Sequence, residues 1–194
     1  MTFQLAACAE MLWRDRPIAW RASRLKEMGF GVGLWNWPAW DLARLEATGA
    51  TFTIMNGYLE GRLADAEGAD TLLKSARETA AVGKRIGVHR LNLHGTGLGD
   101  MGIPIPHIGS HAPGAELRAR DTLHRICDLG EEMGVTFTLE NLNPIDHPGC
   151  PFGSTAAVLR GNTRHTSPTS AWPTWASWWA FAAVEPSALK RGGA

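Results

Sequence analysis

Val135-Thr-Phe-Thr-Leu-Glu-Asn-Leu-Asn-Pro-Ile-Asp-His-Pro-Gly-Cys-Pro-Phe152 is the stretch from which the rest of the chain can be read. Val135, Phe137 and Leu139 alternate with Thr136, Thr138 and Glu140, a period of two that puts the large apolar side chains on one face of a β-strand and Glu140 on the other. In a closed parallel barrel the apolar face lies under the outer helices, and Glu140 points inward at the strand's C-terminal end, where barrel enzymes place their chemistry. The plain alternative is a solvated Glu at a strand end. The Pro- and Gly-rich run after it reads as a loop shaping a pocket.

Upstream, the same logic yields alternating strands and helices. Phe3 to Ala9 reads as a buried first strand, and Ile18, Ala22, Leu25 and Met28 recur at helical spacing before the stop at Gly29. Gly31 to Trp35 is a second strand; Leu42 and Leu45 begin a helix that Asp41 is placed to cap. Thr51 to Asn56 is a third strand, a long amphipathic helix carries Leu72, Leu73, Ala76, Ala80 and Gly83 on one side, and Val88 to His94 is a fourth strand. Leu117, Leu123, Ile126 and Met133 mark the helix leading into the strand of Glu140. Such alternation requires parallel pairing with right-handed crossovers. A complete eight-fold barrel takes about 250 residues, and 194 residues suggest an open doubly wound sheet or an incomplete barrel.

Lys plus Arg and Asp plus Glu stand at 19 each, so no whole-molecule field draws the protein to nucleic acid or an anionic membrane. Cys8, Cys127 and Cys150 are few and far apart, which fits reduced thiols in a cytoplasmic protein better than a disulfide framework or zinc site. Leu5-Ala6-Ala7-Cys8 has the shape of a lipoprotein cleavage box, but no basic and apolar leader precedes it. The greasiest run, Ala171 to Val184, contains Pro173 and is too short to span a bilayer.

Phe3 to Phe152 resembles the hydroxypyruvate isomerases and other members of the xylose isomerase-like TIM-barrel superfamily. The likeness rests on the opening strand, Gly29-Phe30 before a strand ending near Trp35 and Pro38, Asn56 closing the third strand, and above all Glu140-Asn141-Leu142-Asn143 with Asp146-His147-Pro148-Gly149. It implies an α/β fold, a partial (β/α)8 barrel with about five strand-helix units. It also implies an isomerase that moves a proton between adjacent carbons of a small hydroxycarbonyl compound or sugar, between two glutamates and beside a divalent cation, Mg²⁺ or Mn²⁺. Glu140 is thereby implied as metal ligand and acid/base group, a role that suits a hard oxygen donor beside a polarised carbonyl. Its partner carboxylate and the remaining metal ligands belong to later strands and are not found in this chain.

The departure comes after Phe152. Residues 154–194 carry no Asp and only Glu185 as an acid, and are rich in Ala, Ser, Thr, Trp and Pro, with Trp172, Trp175, Trp178 and Trp179 close together. We therefore divide the chain into an incomplete barrel domain, 1–153, and a divergent tail, 154–194, whose abrupt onset suggests a change of reading frame near Leu159 to Gly161. An authentic helix with Trp175, Trp178, Trp179 and Ala182 on one side is the alternative. A truncated, inactive remnant with open sheet edges that aggregates or pairs with another copy is a second functional reading. Another sugar epimerase, or an endonuclease of the same superfamily, is a third; balanced charge and the missing C-terminal ligands weigh against the endonuclease.

The candidate substrate-binding residues are Asn56, His94, Asn143 and His147. Asn56 ends the third strand, and its alternative is a turn residue before Gly57. His94 ends the fourth strand on the face of Asn92, with a purely structural His as the alternative. Asn143 and His147 follow Glu140 into the loop, where both also precede proline as turn formers. Gly95, Gly97 and Gly99 lack the dinucleotide fingerprint and suggest only a flexible lid within the irregular stretch Gly95 to Gly114. His107 and His111 are separated by Gly109 and preceded by Pro104 and Pro106, which disfavours a helical zinc pair. Trp13 and Trp35 follow the first two strands and could stack on a sugar ring, though core packing is the commoner use of Trp.

Overall fold

The computed structural model describes residues 5–99, 103–105, 113–142, 145 and 147, together with the backbone of 181–183. Its elements run β1 (Ala6–Cys8), α1 (Ile18–Glu27), β2 (Gly31–Leu34), a 3₁₀ turn (Trp37–Ala39), α2 (Leu42–Ala47), β3 (Phe52–Asn56), α3 (Ala66–Ile86), β4 (Arg90–Leu93), α4 (Ala115–Met133), β5 (Thr136–Glu140) and β6 (Phe181–Ala183). One sheet takes the strands in order β1-β2-β3-β4-β5-β6. β1 to β5 are parallel, with a register irregularity between Val32 and Gly33. Each crossover carries a helix, so the sheet is the first five strands of an α/β barrel wall, as the sequence predicts.

Alternation sorts the two faces. Met55, Leu91 and Phe137 lie on the helix side: a Cβ at Gly83 of α3 would sit 3.4 Å from Leu91 Cδ2 and 3.6 Å from Met55 Sδ, and one at Gly130 of α4 would sit 3.4 Å from Phe137 Cδ2. These side chains join Leu25, Leu45, Leu72, Ala76, Ala80 and Ile126 in the core between sheet and helices. Burial there removes the apolar stripe of each helix from water, the main stabilising term of the fold. The helix ends are closed by local groups. The Asp41 side chain accepts hydrogen bonds from the N–H groups of Ala43 and Arg44, and Gly87 and Gly134 close α3 and α4 in the left-handed conformation.

Two expectations are corrected. The stretch after β4 is not uniformly irregular: Gly99 N–H donates to Ile103 O at 2.8 Å and Ile105 N–H to Gly97 O at 3.0 Å, with Leu98 bridged antiparallel to Pro104. Gly97 and Gly99 are small because the Ile105 side chain lies over them, within 3.2 and 3.0 Å of where their Cβ atoms would be. A backbone-bonded hairpin stem therefore replaces that part of the flexible lid. In the tail, Phe181–Ala183 pairs antiparallel with β5, Glu140 opposite Phe181, so Ala182 is in a strand and not on the helical face considered for the tail.

Gly57 marks the closest approach of β3's end to β4. Its N–H donates to Asn92 O at 2.6 Å, and a Cβ there would stand 3.0 Å from Asn92 O and 3.2 Å from Leu91 C, both backbone atoms with no freedom to yield. Gly57→Ala is expected to destabilise the protein by about 1–3 kcal/mol, the usual cost of overpacking. A urea midpoint equal to that of the parent would show that the two strand ends can part freely.

Candidate functional site

The inner face of the sheet is polar where β3, β4 and β5 end. In register, Asn56 lies beside Asn92, and Asn92 beside Thr138. The period of two places His94 two residues above Asn92 and Glu140 two residues above Thr138, on the same face. Asn56, Asn92, His94 and Thr138 are all buried, and the Glu140 side chain keeps 13% of its surface exposed. The structure thus brings together three of the five residues singled out from sequence, Asn56, His94 and Glu140. His147 lies partly buried in a bend seven residues past β5. Asn143 lies outside the described residues, as do His107 and His111.

Glu140 Oε2 is the hub. Asn92 Nδ2 donates to it, and His94 Nε2 stands 3.2 Å away. Asn92 Nδ2 is also 3.3 Å from His94 Nε2, and Thr138 Oγ1 lies 3.1 Å from Asn92 Oδ1. An ionised carboxylate only accepts, so pairing with Glu140 puts the proton on Nε2, whereas Asn92 Nδ2, itself a donor, is paired only when Nε2 is bare. His94 Nδ1 is buried and has no hydrogen-bond partner among the described residues. The Tyr58 ring stands 6.3 Å from the imidazole at 55°, and its hydroxyl donates to the carbonyl of buried Thr96, tying the loop after β3 to the loop after β4.

Two residues that organise the mouth were missed in the sequence. Glu10, just beyond β1, accepts from the N–H groups of Trp35 and Asn36 and, at 2.6 Å, from Trp40 Nε1. With its lone pairs committed to these donors it is an anchor for the loop after β2. The strand-end position that drew attention to Glu140 applied equally to Glu10 and was the available signal. Arg21 of α1 is buried and donates to the carbonyls of Arg16 at 2.7 Å, Arg14 at 2.8 Å and Ala9 at 3.4 Å, moulding the loop after β1. Within that loop Trp13 takes a left-handed backbone conformation, φ 45°, and its ring meets Trp20 edge-on at 5.8 Å. That contact favours packing over sugar stacking for Trp13.

Glu140 and His94 could serve as donors to a cation. No group of three or more His, Cys, Asp or Glu side chains capable of holding a metal is present among the described residues. Among the described residues the set at this point is one carboxylate and one imidazole.

No protein-family model matches the chain, and no curated protein matches it. Solved structures do. The protein is similar to one described as AP endonuclease, family 2, from Brucella melitensis, with a TM-score of 0.64 at 18% identity over 83% of this chain and 65% of that one. It is similar to 3-keto-D-glucoside 4-epimerase from E. coli, with a TM-score of 0.55 at 17% identity over 73% and 57%. A third match is a xylose isomerase-like TIM-barrel protein from Mycobacterium smegmatis in complex with magnesium, with a TM-score of 0.56 at 12% identity over 82% and 60%. These likenesses establish the fold, an α/β barrel of the TIM type of which this chain holds a part. The chain spans less than two thirds of the length of each of these three proteins. Among the described residues no helix is long and apolar enough to cross a membrane.

Two thiols, Cys8 and Cys127, lie among the described residues. Burial pushes Cys8 up to about 11 and Cys127 up to about 12, the latter with help from the neighbouring Asp128 and Glu131 charges. Since the thiolate is the nucleophile, both are expected to react with iodoacetamide far more slowly than free cysteine at pH 8 in a Cys150→Ser background. Alkylation of either at the rate of the free amino acid would contradict this burial.

Proposed function

We propose that the protein is a sugar isomerase or epimerase of the hydroxypyruvate isomerase type, with Glu140 as the acid/base group at the barrel mouth. The observation that carries this reading is Glu140 itself: an inward-facing carboxylate at the C-terminal end of β5, fixed by Asn92 and His94 and still partly open. The fold is shared with the E. coli 3-keto-D-glucoside 4-epimerase and with D-psicose 3-epimerase. In the reaction a carboxylate oxygen of Glu140 takes the proton from the carbon next to the substrate carbonyl. For isomerisation Glu140 returns the proton to the adjacent carbon of the resulting enediolate while the hydroxyl proton passes from one substrate oxygen to the other; epimerisation would need a second acid on the opposite face, which the described residues do not supply. Atoms balance without any oxidant or reductant. His94 and the Asn56 amide would bind substrate hydroxyls, with Asn143 and His147 completing the pocket from the following loop. A divalent cation, Mg²⁺ or Mn²⁺, bound through Glu140 would polarise the carbonyl and make the C–H acidic.

A second reading, cleavage of nucleic acid, is favoured by the likeness to the Brucella AP endonuclease, so the even charge balance does not suffice to set nucleic acid aside. The two separate experimentally. With MgCl₂ or MnCl₂ added at about physiological ionic strength, the protein is expected to convert hydroxypyruvate, D-fructose or D-tagatose and to leave an abasic-site duplex intact. Glu140→Gln is expected to lower kcat by roughly a thousandfold or more, in the range typical of loss of general acid/base catalysis. Full turnover by that variant removes Glu140 from the mechanism, duplex cleavage transfers the protein to the second reading, and no turnover of any substrate identifies an inactive barrel remnant.

A further inference from the structure

Resting on the reading of Glu140 as acid/base group, we infer that Asn92, held by the Thr138 hydroxyl, is a positioning residue that fixes the plane in which the Glu140 carboxylate is presented to the substrate. A carboxamide can be turned end for end without changing its shape, so its orientation must be set by its neighbours. Here the carboxylate sets it, and the Thr138 hydroxyl, which can give or accept, ties down the other end of the amide. Thr138 Oγ1 lies 3.1 Å from Asn92 Oδ1 and can give its proton there, the alternative acceptor being Leu91 O at 3.4 Å. On the other side Glu140 Oε2 accepts from Nδ2. In the reversed amide, Oδ1 would face the carboxylate, placing two acceptors against each other.

The consequence falls on Glu140. Oε2 is engaged by Asn92 Nδ2 and by His94 Nε2 at 3.2 Å, so the carboxylate cannot swing about its terminal bond. Oε1 is the oxygen left for the reacting C–H. The cluster is cross-strand, with Asn92 on β4 and Thr138 on β5 in direct register. Both are buried, so water competes poorly for the same bonds. An ordered carboxylate needs no reorientation in the transition state, the form of preorganisation that favours catalysis over mere binding.

The test uses Thr138→Val, which keeps the shape and removes the hydroxyl, and Thr138→Ser, which keeps the hydroxyl and removes the methyl. Thr138→Val is expected to lower kcat by roughly tenfold to a hundredfold, with KM close to that of the parent, the range expected when a hydrogen bond serving a charged group is lost. Thr138→Ser is expected to restore most of it. In ¹⁵N-labelled protein the Asn92 side-chain amide signal is expected to move in Thr138→Val and in Glu140→Gln but not in Thr138→Ser. Parent-like kcat in Thr138→Val alongside an inactive Glu140→Gln overturns the positioning role while leaving Glu140 in place. Active Glu140→Gln overturns the acid/base reading instead. Should no substrate turn over, the amide signal decides: an unmoved signal in Thr138→Val means that the hydroxyl does not hold the amide.

Discussion

The parallel hydrogen-bond ladder joining β3, β4 and β5 is the constraint on which everything else in this protein depends. It sets Asn56 beside Asn92 and Asn92 beside Thr138, and with a side-chain period of two it sends every second residue to the helix side. A register slip of one residue would carry Leu91 and Phe137 to the inside and Asn92 and Thr138 into the apolar core. The helix layer prevents that slip, since Met55, Leu91 and Phe137 lie against α3 and α4. The polar cluster is therefore held in place by the cost of burying it anywhere else.

The mouth is built differently from the wall. Its loops are fixed by single buried or partly buried charges that satisfy several backbone groups at once: Arg21 donates to three carbonyls of residues 9–16, and Glu10 gathers two N–H groups and an indole. Removing either charge would leave several backbone groups without partners, a larger penalty than losing one surface ion pair. Interhelical pairs such as Arg125 with Asp70 and Arg85 with Glu46 are exposed and contribute modestly by comparison. The order of the rim comes here from a few hydrogen-bonded ionic groups spanning consecutive loops.

Much of the wall was legible in the sequence because its signals are local. The alternation through Val135 to Glu140, the cap at Asp41 and the stop at Gly29 each depend on a handful of adjacent residues, and each element appears within a few residues of its expected place. The shortfalls were non-local. Nothing adjacent to Gly97 and Gly99 announces that Ile105 will fold over them, nor does the sequence around Phe181 announce a strand antiparallel to β5. Glu10 and Glu140 look alike as acids at strand ends. Only their surroundings distinguish an acid saturated by Trp35, Asn36 and Trp40 from one whose second oxygen remains for chemistry.

The sequence by itself determined the alternation of strand and helix, the inward direction of Glu140 and the grouping of Asn92 with His94 on one face. These follow from fixed backbone periods that act over a few residues. Only the tertiary structure decided that Asn92 bridges Thr138 and Glu140, that His94 turns Nε2 to the carboxylate, and that Nδ1 is left buried. Those outcomes depend on cross-strand distances of about a hydrogen bond's length. Such distances are set when β4 and β5, 46 to 48 residues apart in the chain at these contacts, are brought into register.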